Sequence, residues 1–170
     1  MKAEDIIALL GLKPHLGEGG WFRETYRSQD EIPAHVLPAG SQGARHLATA
    51  IYYLLSPGTC SILHRLRADE VWHFYLGDPV EMLLLRPGGG EIVTLGHDLA
   101  GGMQVQVVVP RGTWQGCRLK AGGAFALLGT TLSPGFDGAD FEKGDPEELL
   151  AEYPGFSDLI EALTRPGGAA

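Results

Sequence analysis

Short apolar runs separated by Gly- and Pro-rich turns recur along the chain at a spacing of about ten residues, the punctuation of a many-stranded β domain. Nine segments carry the pattern of strands: 21–27, 47–55, 61–66, 71–76, 80–86, 91–95, 104–109, 114–119 and 124–132. The sequences between them are turn formers, among them Ser56-Pro57-Gly58, Gly77-Asp78-Pro79, Pro110-Arg111-Gly112 and Gly122-Gly123. Evenly spaced short strands predict a sandwich or barrel, because closing a sheet removes its exposed edges. Helical period is confined to the two ends. Over 3–10, Ile6, Leu9 and Leu10 share a face and Gly11 can end the helix. Near the other end Asp145 caps a helix with Pro146 at its first position and Glu148 three residues on, stopping at Tyr153-Pro154-Gly155. A second helix follows Ser157, with Phe156, Leu159, Ile160 and Leu163 as its apolar stripe. These helices are expected to pack outside the barrel, and residues 167–170 to fray.

Composition narrows the class. A chain of 170 residues, 44% hydrophobic, predicts one domain over 1–170, with a barrel core at about 19–133 and a helical tail at about 145–165. No apolar run is long enough to span a bilayer, and Glu4 and Asp5 lie where a signal peptide would be basic, so a cytoplasmic protein without a membrane partner is expected. The net charge of -8 is concentrated in residues 137–161, where nine carboxylates face only Lys143, and the body is nearly neutral. No basic cluster suits nucleic acid, although Arg65, Arg67, Arg111 and Arg118 are available to a small anion. Asp137, Asp140 and Glu142 form a carboxylate-rich loop that reads as solvated, with weak cation binding as the other reading. Cys60 and Cys117 read as buried free thiols.

The informative stretch runs from Gly58 to Gly77 and holds His64, Glu70 and Trp72. Its spacing resembles the first motif of metal-binding cupins, with Gly58, His64, Glu70 and Gly77 in place and Leu66 where a second His belongs. Pro110-Arg111-Gly112 resembles the end of the second cupin motif, with Gln115 at its His position and the opening Gly displaced to Gly102. More closely, Pro14 to Phe22, Thr49 to Leu55, His64-Arg65, Asp69 to Tyr75, Val109 to Trp114 and Pro134 to Asp137 are similar to an uncharacterised cupin subfamily, the Cupin_5-like domain of unknown function. The resemblance covers about residues 12–142 and implies an all-β, double-stranded β-helix, the cupin jelly-roll barrel, with a small-molecule ligand in its mouth.

Alternation on a strand puts Ile62, His64 and Leu66 on one face, and Glu70, Trp72 and Phe74 together toward the interior, with His73 and Tyr75 outward. A cupin metal site needs about four converging N/O ligands, and this chain offers one of the three imidazoles. No cofactor is therefore expected, and at most weak divalent-metal binding through His64, Glu70 and Gln115. His64 and Glu70 are the candidate catalytic pair: the carboxylate would either pair with the imidazole, raising its pKa, or be left costly and unpaired, and such a pair can move a proton near neutral pH. Ser61, Trp72, Phe74, His73, Gln115 and Trp114 are the candidate ligand-binding residues. By analogy with metal-free cupins, this predicts an epimerase- or isomerase-like enzyme acting on a sugar, a sugar acid or another small polar molecule. The alternatives are a binding or sensing module without turnover and, less favoured by Leu66 and Gln115, a metal-dependent oxygenase. The early strand 21–27 resembles one that cupins lend to a neighbouring subunit, which predicts a homodimer through that N-terminal strand.

Overall fold

A computed structural model describes residues 1–37 and 43–164; the expected frayed end at 167–170 lies outside them. Helix α1 (Ala3–Leu10) is followed by β1 (Lys13–Pro14), β2 (Trp21–Arg27), β3 (Glu31–Ile32), β4 (Arg45–His46), β5 (Thr49–Leu55), β6 (Cys60–Arg65) and β7 (Asp69–Gly77). Strands β8 (Val80–Arg86), β9 (Gly89–Leu95), β10 (Gln106–Val109), β11 (Trp114–Leu119), β12 (Ala126–Ser133) and β13 (Glu142–Lys143) precede α2 (Pro146–Glu152) and α3 (Ser157–Thr164).

Two sheets face one another as a jelly roll. One has the order β1-β2-β5-β12-β7-β10, the other β13-β6-β11-β8-β9, and β3 pairs with β4 alone. Every pairing between named strands is antiparallel. Tyr53, Leu55, Trp72, Phe74, Val80, Met82, Leu84, Cys117, Ala126 and Leu128 belong to the core between the sheets. The alternate residues turn outward and need covers. Leu54 and Leu127 lie under α1 with Ala3 and Ile6, while Leu83 and Leu85 lie under Leu149, Leu159, Ile160 and Leu163 of the C-terminal helices.

Local chemistry explains the helix ends. Gly11 closes α1 in the left-handed conformation with φ of 61°. The Asp145 carboxylate accepts from the backbone N–H groups of Glu147 and Glu148, and Pro146 needs no donor at the first position. Among the described residues, no helix is long and apolar enough to cross a membrane.

Strict alternation fails on β6, and the failure decides what faces the interior. Gln115 of β11 is opposite His64 and Cys117 is opposite Ser61, so Ile62 and Leu63 together face the single residue Gly116. This β-bulge puts Ser61 and His64 on one side of the strand although they are three residues apart. Ile62 goes with Leu63 to the cluster under the C-terminal helices, and Leu66 to a small cluster with Ala68 and Leu132. The expectation that Ile62, His64 and Leu66 share a face is thus corrected. Gly116 is required at the bulge: a Cβ there would lie 3.0 Å from the Ser61 carbonyl oxygen and 3.1 Å from the Leu63 nitrogen.

Ile160 is fully buried where α3 meets the second sheet. Ile160→Ala is expected to destabilise the fold by about 2–5 kcal/mol in urea unfolding; a loss well under 1 kcal/mol would show that the C-terminal helices do not seal that sheet.

Candidate functional site

The inward face of β7 carries Glu70 and Trp72, and that of β11 carries Gln115. The Trp72 indole N–H donates to Gln115 Oε1 at 2.8 Å, and Gln115 Nε2 donates to Glu70 Oε2 at 2.6 Å. An indole can only donate, so it fixes which way the amide points. Glu70, Trp72 and Gln115 are all buried, and Trp72 meets the Tyr53 ring edge-on at 5.6 Å.

His64 enters from β6, buried, with its ring stacked on Phe141 at 4.9 Å and 19°. Its Nδ1 lies 2.7 Å from the Ile62 carbonyl oxygen, which can only accept, so Nδ1 carries the proton and Nε2 is left with a lone pair. Ser61, brought inward by the bulge, donates its hydroxyl to Glu18 Oε1 at 2.6 Å.

Glu18 is a site residue that the sequence analysis left within a motif and did not single out. It comes from a loop that crosses β6, where the Ile62 N–H donates to the Glu18 carbonyl oxygen at 3.0 Å. Two glycines allow the crossing. A Cβ on Gly19 would lie 2.3 Å from the Cys60 carbonyl oxygen, and one on Gly20 would lie 2.9 Å from the Leu54 carbonyl oxygen and the Tyr53 hydroxyl; both residues have positive φ. The Tyr53 hydroxyl donates to the Gly19 carbonyl oxygen at 2.6 Å and ties the loop to the core. At the rim, His15 Nδ1 accepts from the Glu18 N–H at 2.9 Å and its Nε2 is 3.9 Å from the carboxylate. His15 is thus half-buried and built into this turn. The sequence signal for this arrangement is Glu18-Gly19-Gly20 itself.

Electrostatics sets the protonation states. Burial lifts the Glu70 carboxyl from 4.5 to about 7, helped by the Glu18 charge and opposed by His64, Thr130 and Gln115. The Thr130 hydroxyl is buried beside that carboxyl without reaching a partner at hydrogen-bonding geometry. Burial also raises Glu18, against the pull of His15 and the Ser61 hydroxyl. It lowers His64, and does so against the opposing influence of Glu70 and the Ile62 carbonyl. Glu70 thus acts upward on the His64 pKa, as expected of a pair, but burial outweighs it and the net direction is down. Removing both charges from water outweighs their attraction, and both groups are shifted toward their neutral forms.

Two other candidates lie elsewhere. His73 is on the outer face of its sheet, near the Thr131 hydroxyl at 3.2 Å and Gln106 at 3.3 Å, stacked on Tyr75. Trp114 packs toward the C-terminal helices with the Arg65 guanidinium 4.3 Å above its ring. Phe74 does face inward, two positions beyond Trp72, but meets His97 edge-on at 4.8 Å within the core. The acidic loop is ion-paired rather than simply solvated. Asp140 holds the buried Arg45 at 2.7 Å, Asp137 lies 3.6 Å from the same side chain, and Glu142 grips Arg65 with two bonds of 2.7 Å. Cys60 and Cys117 are both free and buried.

The donor set does not fit the metal of the metal-binding cupins. Gln115 Oε1 is occupied by Trp72, its amide nitrogen by Glu70, and His64 is the one imidazole of the group. Among the described residues, no three His, Cys, Asp or Glu side chains are placed to share an ion.

Comparison with known proteins agrees with the fold. The class is that of the cupins. The chain belongs to the Cupin_5 family of the cupin superfamily (DUF985), whose profile matches residues 4–144. A solved protein from Shewanella oneidensis is 38% identical with a TM-score of 0.84, covering 98% of this chain and 99% of its own. A hypothetical protein from Leishmania major is 31% identical with a TM-score of 0.86, covering 96% and 98%. Variants of Bacillus subtilis oxalate decarboxylase, such as one that is 16% identical with a TM-score of 0.51 over 89% of this chain and 37% of theirs, share the fold. No curated protein is significantly similar in sequence.

Because folded Glu70 holds its proton up to about pH 7 and an unfolded one only to about 4.5, the native state binds the extra proton within that window. Stability from Glu70 is therefore full at low pH and lost as pH rises through the window, by roughly 3 kcal/mol. His64 acts oppositely, since the stability of its neutral native form is lost as pH falls below 6.5. Comparing urea unfolding of wild type and Glu70→Gln isolates the carboxyl: the variant should gain relative to wild type between pH 5 and 8, and parallel curves would refute a protonated Glu70.

Proposed function

We propose that this cupin binds a sugar or other small polar molecule and moves protons on it with His64 and Glu70, without a metal. The supporting observation is the presence in one buried interior of two groups that act on each other's charge: an imidazole with a free Nε2 lone pair and a carboxyl that titrates near neutrality. In this reading His64 Nε2 is the base that accepts a substrate proton and Glu70, titrating near neutrality, is the acid that returns one. Gln115 is a positioning residue, because the bond from Trp72 aims its amide at Glu70. Trp72 and Tyr53 supply an apolar wall for a ring to lie against. A capture module without turnover is the second reading, favoured by exposures of only 1% for His64 and 4% for Glu70. The two free thiols are in keeping with a cytoplasmic setting.

The chain is further proposed to form a homodimer through β2. This strand pairs with β5 of its own chain, and β1 covers only Trp21 and Phe22, so among the described residues the half toward Arg27 remains a sheet edge.

Three measurements test these proposals. In D2O, with a panel of aldoses and ketoses followed by NMR, the wild type should exchange the hydrogen beside the carbonyl, and His64→Ala should be slower by about a hundredfold or more. Binding without exchange by the wild type would leave the capture reading. Elemental analysis of protein purified without added metal should find well under one equivalent of iron, zinc, nickel and manganese; one tightly held equivalent overturns the metal-free mechanism. Light scattering at micromolar concentration should give twice the 18.2 kDa chain mass, and a pure monomer would end the dimer proposal.

A further inference from the structure

The interior that holds His64 and Glu70 contains a second carboxyl, Glu18, and the pair sets a charge preference. Glu18 stands 12% exposed at the rim and Glu70 is buried deeper, close enough for the Glu18 charge to act on it. Among the described residues, the basic groups that act on these two carboxyls are the imidazoles of His15 and His64. The arginines available to an anion are engaged elsewhere or lie outside. Arg65 is bound to Glu142 above Trp114, Arg118 donates to Glu81 at 2.7 Å, and Arg111 and Arg67 are exposed on the surface. The buried Thr130 hydroxyl, unpartnered beside Glu70, offers a further acceptor to whatever enters. Two carboxyls, a hydroxyl and an imidazole lone pair make a site rich in acceptors and poor in fixed positive charge.

We infer that this site selects ligands by charge and takes a small hydroxylated amine, an amino alcohol or amino sugar, while rejecting carboxylates and phosphates. The inference rests on the reading that the interior is the ligand site, and it narrows that reading by removing sugar acids. An ammonium group between Glu18 and Glu70 would supply the missing countercharge, and its N–H donors would meet the free acceptors. A carboxylate there would be a third acid in a water-poor interior with no guanidinium among the described residues to offset its charge, whereas an entering cation favours the ionised forms of Glu18 and Glu70.

A matched two-carbon series isolates charge from size: ethanolamine, ethylene glycol and glycolate each keep one hydroxyl and differ in the other terminus. The reporter is the Trp72 indole N–H, assigned with Trp72→Phe and followed by NMR titration at neutral pH. Ethanolamine should shift it with a Kd about tenfold or more below that of ethylene glycol, equivalent to about 1.4 kcal/mol, and glycolate should leave it unmoved. In Glu18→Gln, whose amide oxygen still accepts from Ser61, the advantage of ethanolamine should shrink by about tenfold. Glycolate binding as tightly as ethanolamine, equal response to all three, or no response to any would overturn the inference. Loss of deuterium exchange with the charge order intact would sink the proton-transfer reading alone, and the converse result would sink this inference alone.

Discussion

A carboxyl group enclosed by apolar strands must be neutralised, hydrogen-bonded or both, and the arrangement around Glu70 follows from that requirement. The Trp72 indole aims the Gln115 amide, the amide donates to the carboxyl, and burial keeps a proton on it near neutrality. In the metal-binding cupins that the motifs resemble, a cation would stabilise the ligating carboxylate. Here a side-chain amide takes over that task, and the position where the second motif expects His is filled by the residue that holds Glu70 in place. The same economy applies at Glu18, where the Ser61 hydroxyl takes the role of donor. The interior therefore holds several titratable groups with little net charge, which is the condition for acid-base chemistry in a protein core.

Much of the scaffold was legible in the sequence because its signals are local. The turn dipeptides bounded β8 and β11, and the cap at Asp145 with Pro146 and the stop at Gly11 set the helix limits. The two-residue strands β1, β3, β4 and β13 were not legible, since so short a segment has no period to show. For the site, motif spacing found His64, Glu70 and Gln115, and alternation placed Glu70 and Trp72 inward. What escaped depends on contacts between distant segments. Glu18 reaches the interior through a glycine crossing, Phe141 covers His64 from a loop far along the chain, and the direction of the His64 pKa depends on how deeply the ring is buried. The acidic loop misled for a related reason, because its partners Arg45 and Arg65 belong to earlier strands.

Relatives inform the scaffold more than the chemistry. The Shewanella and Leishmania proteins match this chain nearly end to end, whereas the oxalate decarboxylase variants share a fold at 16% identity. A fold of this kind hosts many activities, so the case for function has to rest on side chains. In this chain they are an imidazole with one nitrogen fixed, a protonated carboxyl, and a second carboxyl admitted by two glycines.

The extra residue in β6 acts like an inserted letter in a two-letter reading frame. Upstream of Ile62 and Leu63 the odd-numbered Ser61 faces inward, and downstream the even-numbered His64 does. Straightening the bulge with both apolar residues kept would restore uniform alternation and rotate everything beyond it by half a turn. The imidazole would then be delivered to the greasy seam beneath the C-terminal helices, and Arg65 would be pushed toward the two acids. One backbone irregularity thus decides whether the domain has a chemically equipped interior or an inert one, with almost no change in composition.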